Sequence, residues 1–169
     1  MNMNMINMNE INQKMINLNN NIVNIIDCFL YNQKLDIFTG NNAMYCNYCS
    51  QMSNANYQNT FITIPKILIL LLNRGKGIEF KIKLEFTQYL ELNSFIGLNN
   101  VNYNYKLIGV ITHFGNSGED GHFIANCLSP IDKQWYKYND AIVTHIDDFQ
   151  KEIIDLGMPY LLFYQKIDN

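Results

Sequence analysis

The sequence predicts an α+β domain that is rich in β-strands. From about residue 60 onward, short apolar runs and stretches of alternating apolar and polar residues are separated by Gly, Pro and Asn, which is typical of strands joined by turns. Apolar residues at helical spacing are confined to two short segments, 21–31 and 146–156. The chain of 169 residues is 48% hydrophobic, which is enough to bury a core of its own.

Charge and composition exclude two classes of partner. The formal net charge is -3 and the pI is about 5.5, so the chain has no basic excess for binding nucleic acid. The longest strongly apolar run, 67–72, is far shorter than the roughly 20 residues that cross a bilayer. The N-terminus has neither the basic nor the apolar region of a secretory signal. We therefore expect an intracellular protein, cytoplasmic or nuclear, without a nucleic-acid or membrane partner.

The predicted elements follow one another from the N-terminus. Residues 1–20 are a low-complexity stretch of Asn and Met, and we expect little order there because Asn competes with backbone hydrogen bonds and buries little apolar surface. An amphipathic helix is predicted over 21–31, where Ile22, Ile25 and Phe29 recur at helical spacing. Strands are predicted over 61–64, 67–72, 78–84 and 105–114, a hairpin over 123–138, a helix over 146–156 and a final strand over 160–167.

The four cysteines indicate metal or redox chemistry rather than a disulfide framework. Nothing in the sequence points to secretion, and disulfides are rare in reducing compartments. Cys46 and Cys49 form a CxxC pair in a turn-rich stretch, which is typically metal-binding or redox-active. Cys28 and Cys127 lie inside a predicted helix and a predicted strand.

One of the three histidines lies where function concentrates. His113 lies inside an apolar strand and His145 at a predicted helix start, so we interpret both as structural. His122 follows the glycine-rich segment 115–121 and opens a strand, at a junction between loop and scaffold.

The hairpin after His122 brings a second polar group within reach. Its returning strand ends at Asn139 and Asp140, and a hairpin of this length can place that end beside residue 122. An amide or carboxylate there could accept a hydrogen bond from the imidazole and fix its tautomer, as the third member of a Cys-His-Asn triad does. The alternative is a simple turn, which Asn and Asp also favour.

Several ordered motifs resemble the second half of a ubiquitin-specific protease catalytic domain. The match runs from about residue 22 to residue 166, and the order and spacing of its motifs make it more specific than any one of them. The matching segments are Tyr45-Cys-Asn-Tyr-Cys49, the strand ending in Asn73-Arg74, Tyr105-Lys-Leu107, Val110-Ile-Thr-His-Phe-Gly115, Gly121-His-Phe123, Trp135-Tyr-Lys-Tyr-Asn-Asp140 and Tyr160-Leu-Leu-Phe-Tyr164.

The resemblance implies a fold, a substrate and a set of site residues. It implies part of a papain-like fold, with a mostly antiparallel palm over about 61–169 and a remnant of the fingers over about 40–65. It implies that His122 is the general base, that Asn139 orients it and that Asp140 supports the site less directly. Gly121 and Phe123 would lie beside the channel for the C-terminal tail of ubiquitin, which would be the partner.

Two features of the family pattern are missing from this sequence. The family's nucleophile lies in a segment resembling Gly-Asn-Thr-Cys-Tyr, which does not occur here, and neither Cys28 nor Cys127 matches it. Many members also hold structural zinc through two CxxC pairs, whereas only Cys46 and Cys49 are present, and Zn²⁺ takes four ligands. No cofactor is expected to be required, and structural zinc at this half-site is an open alternative.

The resemblance leaves two functions to compare. One is deubiquitination, the thiol-dependent hydrolysis of the (iso)peptide bond after the C-terminal Gly of ubiquitin, with His122 and Asn139 supplied by this chain and the Cys missing from it. We then expect the chain alone to be inactive. The other is a catalytically inactive ubiquitin-binding or interaction module of the same fold.

Overall fold

A computed structural model describes residues 3–7, 22–74, 81–95, 103–115 and 120–167 of the chain. Its main element is an eight-stranded sheet with the order β1-β7-β14-β10-β11-β12-β13, in which β9 also pairs with β10. The strands of this sheet are β1 (Met3–Asn7), β7 (Ile67–Asn73), β9 (Tyr89–Glu91), β10 (Asn104–Phe114), β11 (His122–Leu128), β12 (Trp135–Asn139), β13 (Ile142–His145) and β14 (Pro159–Lys166).

The sheet is antiparallel at every pairing except one. β10 is its longest strand, and it pairs antiparallel with β14 on one side and with β11 and β9 on the other. Burial alternates along the first half of β10, where residues 105, 107 and 109 are buried, as in a strand with one face against a core. In its second half the neighbours 109 and 110, and 112 and 113, are buried together, close to two register shifts against β14. Only β1 runs parallel to its neighbour, β7. The prediction of an α+β fold rich in strands is therefore confirmed, and strands at 67–72 and 105–114 occur where the sequence placed them.

The core packs one short helix against this sheet. The helix α1 (Ile25–Asn32) is preceded by β2 (Ile22–Asn24), which pairs with β8 (Lys83–Glu85). Asn24 caps the helix, because its Oδ1 accepts a hydrogen bond from the Ile26 N–H at 2.8 Å. Cys28 and Phe29 on α1 are fully buried within the same cluster as Tyr105 of β10 and Tyr164 of β14. The helix predicted over 21–31 thus begins only at Ile25, because residues 22–24 form a strand.

A strand in the N-terminal stretch was not predicted. Met3–Asn7 forms β1 and pairs residue by residue with 69–73 of β7. The prediction of little order is therefore wrong for these five residues. The physical reason is that β7 otherwise presents its backbone groups at an edge, and an extended segment can satisfy them whatever its composition. The remainder of the low-complexity stretch, residues 1–2 and 8–20, lies outside the described residues.

The segment predicted as a fingers remnant forms two small antiparallel sheets. β3 (Asp36–Phe38) pairs with β6 (Ala55–Tyr57), and β4 (Met44–Cys46) pairs with β5 (Gln51–Ser53) between them. The strand predicted over 61–64 is wrong, because residues 58–65 have no regular structure and find no partner strand. Of the strand predicted over 78–84, only the end coincides with β8, and residues 75–80 lie outside the described part of the chain.

The C-terminal third contains a second hairpin that was not predicted. β12 and β13 pair across Asp140 and Ala141, so the predicted helix over 146–156 is preceded by a strand and reduced to a π-helical segment at Gln150–Ile154. His145 is therefore the last residue of a strand rather than the start of a helix. The apolar residues behind this helical spacing include Ile146 and Ile153, and both side chains are buried in the core cluster.

No helix within the described residues is both long and apolar enough to cross a membrane.

Candidate functional site

The site forms where β11 begins and β12 ends. His122 is the first residue of β11 and Asn139 the last of β12, and the register pairs Ala125 with Tyr138. Side chains alternate between the faces of a strand, so this register places His122 and Asn139 on the same face. His122 Nε2 lies 2.6 Å from Asn139 Oδ1. His122 and Asn139 therefore lie next to each other, as the length of the hairpin predicts. The catalytic role of the pair stays a prediction.

This hydrogen bond determines which ring nitrogen is free to act as a base. The amide oxygen of Asn139 can only accept, so Nε2 of His122 carries the hydrogen and donates it. Nδ1 then holds a lone pair, and the side chain of His122 is 45% exposed. A neutral imidazole fixed in one tautomer and open to solvent can take a proton from a group placed at Nδ1.

Asp140 stands beside this pair without bonding to it. Its Oδ2 lies 3.7 Å from His122 Nε2, beyond hydrogen-bonding distance, and its side chain is 82% exposed. Its φ of +51° places it in the left-handed region, as the first of the two residues that join β12 to β13. The carboxylate therefore acts on the imidazole only through space, where solvent screens it.

Gly121 allows the loop before His122 to close on the sheet. A Cβ on Gly121 would lie 2.5 Å from His113 Nε2 and still closer to the Phe114 carbonyl oxygen. At the other end of the same loop, a Cβ on Gly115 would lie 3.1 Å from His113 Cε1 and would collide with the Asp120 carbonyl oxygen. Both ends of the loop thus rest on the buried ring of His113, which has the structural setting that the sequence predicted for it.

An aromatic cluster lies beside the site. Phe123 packs on His113 with ring centroids 4.5 Å apart and on Tyr160 at 5.3 Å. Phe123 nevertheless remains 52% exposed, and Phe114 is 43% exposed. The sequence analysis did not single out Tyr160 for the site, and the only available signal was its place at the start of the last aromatic-rich strand.

Neither Cys28 nor Cys127 is placed or activated as a nucleophile for His122. Cys28 is fully buried in the core, where desolvation raises the pKa of its thiol to about 12. Burial also raises the pKa of Cys127. Cys127 is five residues along β11 from His122, so its side chain points to the opposite face of the sheet.

Cys46 and Cys49 lie together at the β4–β5 hairpin. Cys49 is exposed, its Sγ lies 3.6 Å from Ser53 Oγ, and hydrogen bonds from Ser53 and Cys46 lower the pKa of its thiol. Among the described residues, no group of three or more His, Cys, Asp and Glu side chains is arranged to hold a metal ion. Zinc takes four ligands, so these two cysteines and the other described residues do not make up a complete zinc site.

Comparison with known proteins assigns the fold. The sequence model of a family described as ubiquitin carboxyl-terminal hydrolase matches residues 5–164. The structure is similar to a solved SAGA DUB module containing Ubp8, Sgf11, Sus1 and Sgf73 bound to monoubiquitin, with a TM-score of 0.69 and 25% identity over 87% of this chain and 35% of that one. The prediction of a partial papain-like fold with a mostly antiparallel palm is confirmed by this likeness.

Curated relatives agree with that assignment. Ubiquitin carboxyl-terminal hydrolase 48 of Gallus gallus is 31% identical over 144 residues, which are 79% of this chain and 13% of that protein. Ubiquitin carboxyl-terminal hydrolase 2 of Rattus norvegicus is 30% identical over 151 residues, which are 85% of this chain and 24% of that protein. The chain spans a quarter or less of the length of these relatives. Because the family match extends over nearly all of its residues, the chain belongs to the ubiquitin carboxyl-terminal hydrolase family.

Proposed function

We propose that this chain supplies the histidine and asparagine of a Cys-His-Asn centre that hydrolyses the (iso)peptide bond after the C-terminal Gly of ubiquitin. The observation that carries the proposal is the 2.6 Å hydrogen bond between His122 Nε2 and Asn139 Oδ1. It joins the two residues that the family resemblance assigns to these roles, and it leaves Nδ1 as the free base.

Each group has a defined part in the reaction. Nδ1 of His122 takes the proton of a cysteine thiol, and the thiolate attacks the carbonyl carbon of the last Gly of ubiquitin. The imidazolium then gives its proton to the leaving lysine amine, and a thioester remains. Water hydrolyses the thioester, with His122 again acting as the base. Asn139 keeps the ring in one orientation throughout, although a neutral amide stabilises the imidazolium less than a carboxylate would.

The thiol has to come from outside these 169 residues. All four cysteines are described: two have raised thiol pKa values, and the other two lie on a small hairpin outside the eight-stranded sheet. Gly121, which immediately precedes His122, would lie beside the narrow tail of ubiquitin. The ring of Phe123 points to the other face of β11, where it packs on His113.

Reconstitution with a relative tests this function. The chain is mixed with a segment of a family member that contains the motif resembling Gly-Asn-Thr-Cys-Tyr, and release of a fluorophore from the C-terminus of ubiquitin is measured. We expect hydrolysis only when both parts are present, and its loss in His122→Ala. A His145→Ala variant is the matched control, since His145 is a half-exposed histidine outside the site.

Three results would contradict the proposal. If His122→Ala keeps its activity, His122 is not the general base. If a ubiquitin derivative with a C-terminal electrophile forms an adduct with any cysteine of this chain, that cysteine can act as the nucleophile, which the proposal excludes. Ubiquitin binding by the chain without any hydrolysis in the mixture favours the second candidate, an inactive ubiquitin-binding module. That candidate rests on the same observation that none of the four cysteines is placed beside His122.

A zinc site shared with another segment is a separate proposal. Cys46 and Cys49 would bind the ion only together with two ligands from outside the described residues. The isolated chain should then bind Zn²⁺ weakly, and Cys46→Ser should abolish the binding in a metal titration. Tight stoichiometric binding by the isolated chain would contradict this half-site.

A further inference from the structure

We propose that the free edge of β13 binds an extended, basic segment of a partner protein by adding it to the sheet as one more strand. The proposal concerns an edge of the sheet and does not depend on the catalytic function proposed above. The proposal is based on two features that lie together: β13 has an open edge with exposed apolar side chains, and carboxylates lie at both ends of that edge.

The register shows which backbone groups of β13 face outward. Asn139 pairs with Ile142 across a two-residue turn, and the Ile146 N–H donates to the Trp135 carbonyl at 2.9 Å. In an antiparallel ladder, hydrogen-bonded pairs alternate with non-hydrogen-bonded ones. Ile142, Thr144 and Ile146 therefore belong to the hydrogen-bonded pairs, and their backbone N–H and C=O groups bond to β12. The N–H and C=O groups of Val143 and His145 point away from it.

Within the described part of the chain, β13 ends the order of strands in the sheet. All four of its residues are exposed, with Ile142 at 63% and Val143 at 53%. Edge strands are commonly protected by Lys, Pro or a bulge, and the sequence Ile-Val-Thr-His contains none of these. Two outward-facing residues offer up to four backbone hydrogen bonds to an added strand, which is the mode of strand addition.

The charge around β13 selects the kind of partner. Asp140 precedes the strand and Asp147 and Asp148 follow it, and residues 140–148 include no Lys or Arg. Asp140 and Asp147 are 82% and 93% exposed. Lys137 on the neighbouring strand is already paired with Glu152 at 3.2 Å. An extended segment with a small apolar centre and Lys or Arg at both ends therefore complements this edge.

The same charges disfavour a second copy of this chain as the occupant. If two β13 strands paired antiparallel through their outward groups, Val143 of one copy would lie opposite His145 of the other. Asp140 would then lie opposite Asp148, and like charges directly opposite one another destabilise a strand pair. A basic partner strand replaces both repulsions with attractions.

The test uses the full chain and a defined peptide. The probe is the capped peptide Lys-Lys-Val-Thr-Val-Lys-Lys, and binding is followed through the backbone amide resonances of the ¹⁵N-labelled chain. We expect shifts confined to β13 and its two neighbouring turns, and weaker binding at high salt. The peptide with Glu in place of Lys should not bind.

Two substitutions of Val143 distinguish strand addition from nonspecific electrostatic attraction between the peptide and the chain. Val143→Pro removes only an outward-facing donor, so β12 and β13 should stay paired while peptide affinity falls about tenfold. Val143→Thr keeps the donor and the β propensity, and its affinity should stay within about twofold of the parent chain. Circular dichroism and thermal melting establish that both variants are folded.

A peptide N-methylated at its two Val residues gives the same information without altering the protein, and it should also bind about tenfold more weakly. Equal binding by this peptide, by the acidic peptide, or by a folded Val143→Pro variant would overturn the proposal. So would a complete lack of binding by the basic peptide. Concentration-dependent dimerisation that Val143→Pro abolishes would identify a second copy as the occupant and overturn it equally.

Discussion

The imidazole of His122 is held by one bond, so the partner in that bond should determine its usefulness as a base. We expect Asn139→Ala to lower the turnover of the reconstituted enzyme by about 10²-fold, because the ring loses its fixed tautomer and orientation. Asn139→Asp restores an acceptor at the same place and should recover most of the rate. Ubiquitin affinity, measured separately by calorimetry, should change little in either variant. Equal loss of activity in both variants would show that the amide matters for another reason.

The four cysteines should differ widely in reactivity. Cys49 is exposed and its thiol pKa is lowered, whereas Cys28 is fully buried with a thiol pKa raised to about 12. Iodoacetamide labelling at neutral pH, read by peptide mass spectrometry, should modify Cys49 first and Cys28 last. Unfolding in urea should remove the difference, which is the control. Early labelling of Cys28 in the folded chain would contradict its placement in the core.

Gly121 should be intolerant of any side chain. A methyl group there meets the ring of His113 and the backbone of Phe114, so we expect Gly121→Ala to lower the stability by about 1–3 kcal/mol. Gly40 is the matched control, since its φ is +58° but nothing lies within 4 Å of its added Cβ. Gly40→Ala should therefore cost about 1 kcal/mol. Chemical denaturation gives both values, and equal losses would show that packing against His113 is unimportant.

At the scale of elements, Arg74 joins the end of β7 to the start of β14. Its buried guanidinium donates to the carbonyl oxygens of Pro159 at 2.6 Å and of Ile82 and Gly157. Burial lowers its pKa to about 10, so it stays charged at neutral pH. The sequence showed this residue only as the end of a family motif. Two of its three carbonyl acceptors, those of Gly157 and Pro159, lie more than 80 residues away, and no local pattern reveals them.

Replacing Arg74 should therefore cost more than a surface charge does. We expect Arg74→Met to lower the free energy of unfolding by about 2–4 kcal/mol, because several buried carbonyls lose their donor. Arg74→Lys keeps the charge but cannot reach several acceptors with one ammonium, and it should be intermediate. Urea unfolding measures both variants, with Lys106→Met on β10 as a control. A negligible change in Arg74→Met would contradict the role of these bonds.

At the scale of the whole molecule, the sheet has one edge at β13 and another at β1. β1 covers β7, whose residues 68–70 and 72 are buried. Deleting residues 1–7 should expose the β7 edge, so the amides of 69–73 should lose protection from hydrogen exchange. The truncated chain should also associate more at high concentration. Ultracentrifugation of the two chains gives the comparison. Unchanged exchange in 69–73 would show that β1 does not cover that edge.

The sequence alone predicted the strands that are long and mostly apolar, such as those at 67–72 and 105–114. Prediction from the sequence was wrong where the structure of a segment depends on the strand or core surface that it contacts. Met3–Asn7 forms a strand by pairing with the edge of β7, whereas Phe61 and Ile64 pack against the core without a partner strand. In the segment 146–156, Ile146 is buried just after the end of β13 and Ile153 is buried in a π-helical turn. Their spacing in the sequence is the same as that of buried residues on one face of an α-helix, so the sequence pattern does not distinguish the two structures.

For the site, the chain order of motifs indicated the family and predicted that five residues act together, namely His122, Asn139, Asp140, Gly121 and Phe123. Only the tertiary structure shows which ring nitrogen of His122 is hydrogen-bonded and that His122 and Asn139 lie on the same face of the sheet. It also decided that both ends of the glycine loop rest on His113 and that Cys28 and Cys127 are turned away. The physical reason is that hydrogen bonding, desolvation and steric contact depend on distances between residues far apart in the chain, and those distances are set only when the strands pair.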